Sequence, residues 1–109
     1  MNNLIIRKLK KEDAKDVSRI FVAITKAKLN IDYTRFVKEQ VQREEDASFV
    51  AELEGKTVGF MISNIISSGF GLLNKSAWIV MLGVDPEFMG QGIDSRLAQE
   101  IFKASRKKI

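Results

Sequence analysis

Apolar residues recur along this chain with two different periods, and the points where one gives way to the other divide it into elements. Leu4 to Leu9 is a short apolar and basic segment that reads as a strand running into Lys10-Lys11-Glu12-Asp13. Ala14, Val17, Ile20, Phe21 and Ile24 follow at three- and four-residue spacing, which predicts a helix with one apolar stripe. Glu12 and Asp13 fall in its first turn, where the helix dipole favours carboxylates. Asn30-Ile31-Asp32 breaks the pattern. A second, more charged helix is predicted from Tyr33 to Glu45, with Phe36, Gln40 and Val41 on one side.

From Ala47 the period becomes two. Phe49, Ala51 and Leu53 alternate with Ser48, Val50 and Glu52, Glu54-Gly55-Lys56 supplies a turn, and Val58, Phe60 and Ile62 continue in a second strand from Thr57 to Ser63 that can extend through Ile65-Ile66. Ser67 to Lys75 has the composition of a flexible connector. Ala77 to Val84 is apolar on both faces, the pattern of a strand buried in a sheet between helices. Asp85-Pro86 closes that strand, because proline cannot donate to a central ladder. The chain turns through Met89-Gly90-Gln91-Gly92 into a last helix. Leu97, Ile101 and Ala104 form its buried stripe, Phe102 flanks it, and Arg106-Lys107-Lys108 end it. The predicted order is β-α-α-β-β-β-α, an α/β fold in one domain over residues 1–109, with no repeat and no internal linker.

Composition narrows the chemistry. With no histidine and no cysteine, the commonest general base, the commonest metal ligand, a thiolate nucleophile and a disulfide framework are all absent. Glu44-Glu45-Asp46 reads as a solvated end, since consecutive helix residues do not face one another, and no metal is expected. The N-terminal apolar stretch is too short for a signal peptide and no run is long enough to span a bilayer, so a cytoplasmic location without a membrane role is the expectation. A net charge of +4 suits an anionic ligand. Nucleic acid is not the expected one, because the basic residues are dispersed and one Trp and one Tyr are few for stacking bases.

A buried strand, a glycine turn and a helix N-terminus together bring several backbone N–H groups to the positive end of a helix dipole, which is an anion site by geometry. Here that junction is Gly90 to Ser95. The spacing alone leaves a plain tight turn equally open. A dinucleotide-binding reading of Gly90-x-Gly92 fails, because Ser95 stands where a third glycine is needed.

The run Val84-Asp85-Pro86-Glu87-Phe88-Met89-Gly90-Gln91-Gly92-Ile93-Asp94-Ser95-Arg96-Leu97 resembles the motif of the GNAT (Gcn5-related) N-acetyltransferases, in which a V-x-P-x-x strand end leads to R/Q-x-x-G-x-G/A and a helix. Ile6-Arg7-Lys8-Leu9 with Glu12-Asp13-Ala14 is similar to that family's first strand and helix, and the hairpin Phe49-Val50-Ala51 to Val58-Gly59-Phe60 to its second and third strands. The resemblance implies a GNAT-like mixed sheet and transfer of an acetyl group from acetyl-CoA, as cosubstrate, to an amine acceptor. It implies that the backbone of Leu82, Gly83 and Val84 bonds the pantetheine arm and that Met89, Gly90, Gln91, Gly92, Ile93, Asp94 and Ser95 surround the pyrophosphate. Tyr33 would border the acceptor, although as residue types Tyr33 and Trp78 read first as packing residues.

Three departures qualify the resemblance. Met89 stands where the family carries arginine or glutamine, and Asp94 puts a carboxylate where glycine or alanine is usual. The family pattern also continues past Ile109 into a further strand, a helix and a closing hairpin, so a domain lacking those C-terminal strands is expected, with no catalytic residue assigned. The alternative function is a non-catalytic acyl-CoA-binding or protein-interaction module. A homodimer, or a complementing chain, is expected at the Ala77 to Val84 strand edge.

Overall fold

The computed structural model of the chain describes residues 3–25, 33–42, 47–67 and 75–107. Strand β1 is Leu4–Lys8, and a 3-10 turn at Lys11–Asp13 leads into helix α1, Ala14–Thr25. Helix α2, Thr34–Gln42, precedes strands β2, Phe49–Leu53, β3, Lys56–Ser67, and β4, Lys75–Val84. A second 3-10 turn at Pro86–Phe88 separates β4 from helix α3, Ile93–Lys107. This is the element order that the hydrophobic periods predict. The break at Asn30-Ile31-Asp32, the acidic run Glu44-Glu45-Asp46 and all but the ends of the Ser67 to Lys75 connector lie outside the described residues, as do the side chains of Trp78 and Ala104.

The strands form one sheet in the order β1-β2-β3-β4, with every neighbour antiparallel. Glu54 and Gly55 link β2 to β3 with φ of 51° and 83°, the positive values that a two-residue hairpin turn requires to match strand twist. The mixed sheet that the resemblance implies would need a parallel strand, and none lies among the described residues.

Alternation distributes the strands' side chains between two cores. On one face Val50, Phe60 and Ile62 pack with Val17 and Ile20 of α1 and Val37 of α2. On the other Phe49, Ala51 and Met61 pack with Ile93, Leu97 and Ile101 of α3. Each fully buried aliphatic or aromatic side chain contributes about 1.5–3 kcal/mol. Gly59 brings α3 close to the sheet, since a Cβ there would lie 3.0 Å from Ile93 and 3.5 Å from Leu97.

Three expectations change in the folded chain. Val37, not Val41, is the buried residue of α2, because the helix turns its Val37 side onto α1 and the sheet while Val41 stays exposed. Asp13 lies in the 3-10 turn before α1, not in the first turn of the helix itself, and is buried. Its oxygens accept from both terminal nitrogens of Arg7, at 2.8 and 2.9 Å, and from the Lys10 amide at 2.8 Å. Beside that carboxylate the Arg7 guanidinium is held above its ordinary pKa. Finally, β4 is not enclosed between helices. Ile79, Val80 and Leu82 are 54%, 48% and 46% exposed, because β4 is the outer strand of the described sheet and these three side chains lie outside both cores.

Candidate functional site

Strand β4 does not run straight into the turn that follows it. Its register against β3 passes from Ile62↔Met81 to Ser63↔Ile79, so Val80 is the extra residue of a bulge, a feature that bends and twists a strand. Beyond the bulge the Asp85 amide donates to the Val58 carbonyl at 2.8 Å. Backbone directions alternate along an antiparallel strand, so Gly83 also points its N–H and C=O at β3. Leu82 and Val84 therefore direct theirs to the open edge.

Asp85 then builds the elbow. Its side chain accepts from the Glu87 amide at 3.1 Å, its carbonyl accepts from the Phe88 amide at 2.8 Å, and Pro86 pre-sets the first residue of the 3-10 turn. Arg19 of α1 reaches the same carboxylate at 3.0 Å. Burial pushes the Asp85 carboxyl up, but the Glu87 amide and the Arg19 guanidinium outweigh it and hold the group below the ordinary aspartate value.

After the elbow Gly90 and Gly92 both take φ of 79°, a left-handed conformation that only glycine adopts without strain. A Cβ built on either would meet no atom within 4 Å, so the glycines serve the path of the turn and the space beside them is open. The first backbone bond of α3 runs from the Arg96 amide to the Gly92 carbonyl at 3.1 Å. The amides of Ile93, Asp94 and Ser95 thus precede any intrahelical acceptor and stand at the positive end of the helix dipole.

Between the β4 end and this helix start lies a cavity of about 450 Å³. Leu82, Gly83 and Val84 form its β4 wall, Met89, Gly90, Ile93 and Asp94 its turn and helix wall, and Ile24 of α1 and Phe88 complete it. Among the described residues of that lining, Asp94 is the only ionisable side chain. Among the described residues no group of three or more acidic residues could hold a metal ion, and no helix is long and apolar enough to cross a membrane.

The sequence model of the acetyltransferase (GNAT) family matches residues 13–108. The chain belongs to that family. An N-acetyltransferase of Archaeoglobus fulgidus, described as uncharacterized, is 31% identical over 101 residues that take in 87% of this chain and 69% of the relative. A second, from Methanocaldococcus jannaschii, is 34% identical over 79 residues, 67% of this chain but 32% of that longer protein. Among solved structures, an aminoglycoside acetyltransferase from an uncultured soil metagenomic sample, in complex with sisomicin, superposes with a TM-score of 0.79 at 26% identity. The match covers 98% of this chain and 72% of that one.

Within this GNAT domain, the cavity gathers Leu82, Gly83, Val84, Met89, Gly90, Ile93 and Asp94 of the residues expected around a donor, while Gln91, Gly92 and Ser95 lie outside its lining. Ile24 and Phe88 were not among those expected. Ile24 had one sequence signal, as the last member of the α1 stripe, one turn beyond the residues the sheet buries. Tyr33 is not in the lining. Its ring packs edge-on against Phe21 at 5.2 Å and Phe36 at 6.3 Å, its amide donates to Ser18 Oγ at 3.2 Å, and it covers the α1 and α2 core as a packing residue.

Proposed function

We propose that this chain binds acetyl-CoA in the cavity between β4 and α3 and transfers its acetyl group to an amine. One observation carries the reading: outward-facing backbone groups of β4 and first-turn amides of α3 that precede any intrahelical acceptor border one cavity in a GNAT acetyltransferase domain. A donor with an amide-bearing arm and a diphosphate needs those two kinds of backbone group. The edge groups of Leu82 and Val84 would align the arm as a further strand does. The amides of Ile93, Asp94 and Ser95 would receive the diphosphate. Ile24, Leu82, Phe88 and Met89 give the cavity apolar walls against which the donor would pack.

Transfer itself follows from positioning. The amine nitrogen attacks the thioester carbonyl carbon, the C–N bond forms, the C–S bond breaks, and the proton that the nitrogen loses ends, by way of solvent, on the leaving thiolate. Holding donor and acceptor in line supplies much of the acceleration in such a step. Multi-amine compounds are the first acceptors to test, because a structural neighbour is an aminoglycoside acetyltransferase.

A second reading, binding without transfer, is favoured by the scarcity of ionisable groups: among the described residues of the lining, only Asp94 could take up or release a proton. Titration calorimetry with acetyl-CoA tests what the two readings share. A ligand at a hundred times its Kd should stabilise the fold by about 2.7 kcal/mol. Neither heat nor thermal shift at millimolar acetyl-CoA would overturn both. Release of free thiol in the presence of an aminoglycoside or polyamine then separates transfer from binding alone.

A further inference from the structure

Arg19 does not line the cavity, yet its guanidinium joins three parts of the fold that meet behind it. Nη1 donates to Asp85 Oδ2 at 3.0 Å, Nη2 to the Thr57 carbonyl at 2.7 Å, and Nε to Asp16 Oδ1 at 3.3 Å on its own helix. The Thr57 contact falls where the sheet ladder is interrupted: the β2–β3 register passes from Ala51↔Gly59 to Glu52↔Thr57, leaving Val58 as an extra residue. The Val58 carbonyl takes the Asp85 amide instead. Arg19 and Asp85 together therefore close a gap in the sheet at the point where β4 turns into the cavity wall.

The Asp85 carboxylate divides its oxygens between two tasks. One accepts from Arg19 and the other from the Glu87 amide, so the ion pair and the turn that carries Phe88 share a single group. Phe88 continues the chain of contacts, since it lines the cavity, packs against the α3 core and lies 5.7 Å beneath the Lys56 ammonium. A guanidinium suits this role because its planar fork can bridge a carboxylate and a carbonyl at once, which a single ammonium cannot do with the same geometry.

We infer that Arg19 is a positioning residue for the acyl donor, holding the turn at residues 86–90 in place through Asp85 and the Thr57 carbonyl. The inference rests on the acetyl-CoA reading of the cavity. It predicts that a change outside the cavity lining alters donor affinity through the turn.

The test compares Arg19→Gln and the milder Arg19→Lys with Arg7→Gln, which breaks the ion pair with Asp13, away from the cavity. Acetyl-CoA affinity is measured by calorimetry, and amide hydrogen exchange is followed at residues 87–90. Arg19→Gln should weaken acetyl-CoA binding roughly tenfold and speed exchange at residues 87–90. Arg19→Lys should retain part of the affinity, and Arg7→Gln should lower thermal stability with affinity and exchange at the turn unchanged. A folded Arg19 variant with wild-type affinity and wild-type exchange would overturn the inference, as would equal losses of affinity in Arg7→Gln. If the wild-type chain fails to bind acetyl-CoA, the reading of the cavity falls. The exchange comparison then decides whether Arg19 holds the turn.

Discussion

A methyl group at Gly83 would sit 2.8 and 2.9 Å from the edge of the Phe60 ring and 3.1 Å from Ile24 Cδ1. Phe60 is fully buried and cannot swing aside, so Gly83→Ala forces the ring or β4 to move. Overpacking of this kind costs about 1–3 kcal/mol, to be read as a lower urea midpoint with an unchanged slope. A midpoint within error of wild type would show that the sheet yields at no cost. Asp94 makes the opposite kind of demand, on the ligand and not on the fold. A carboxylate about 5 Å from a phosphate charge repels it by roughly 3 kcal/mol at an effective dielectric near 20, and screening at an exposed site lowers this to about 1 kcal/mol. Asp94→Asn should therefore tighten acetyl-CoA binding about fivefold at low salt, with the gain shrinking as salt is added. Equal or weaker binding would mean that the Asp94 carboxylate points away from the donor. Tyr33 sits edge-on between Phe21 and Phe36, the packing environment that its residue type leads one to expect.

At the scale of elements, the periodic stripes of α1 and α3 were legible because both helices lie flat on the sheet, so every third or fourth residue meets the same surface. The short α2 was less so. Its one buried residue is Val37, and which side of a mostly charged helix turns inward depends on the elements beneath it. The β4-to-α3 elbow combines both cases. Proline and the glycines mark it in the sequence, whereas Arg19, which secures it, is 66 positions from Asp85. Because the Asp85 pKa is lower in the folded chain than in the unfolded one, the unfolded state binds more protons between the two values and stability rises with pH there. That contribution is complete above the ordinary aspartate range and is lost as pH falls through the folded value. Asp85→Asn should thus be less stable than wild type at pH 7, with the difference narrowing below about pH 4. Urea unfolding across pH 7 to 2 checks this. A difference that stays constant over the range would assign the loss to the turn's hydrogen bonds and not to the ion pair.

At the scale of the whole molecule, β4 exposes Ile79, Val80 and Leu82 beside a strand edge that carries no neighbour among the described residues. An apolar open edge templates pairing with another strand. The 109-residue chain by itself is accordingly predicted to form a homodimer through β4, with a scattering mass about twice 12.3 kDa. Val80→Lys places a charge on that edge and should return the chain to a monomer with unchanged secondary structure. A wild-type monomer at high micromolar concentration would refute the prediction.

The division between chain and fold follows from the range of the forces involved. Periodicity, turn residues and the proline–glycine elbow act over a few neighbouring residues, and they alone set the element order, the hairpin at Glu54-Gly55 and the place of the helix start at Ile93. Burial, ion pairing and the shape of the cavity require surfaces brought together from distant segments. Only packing could turn Val37 inward, leave β4 exposed, carry Ile24 to the cavity and seat Arg19 against Asp85.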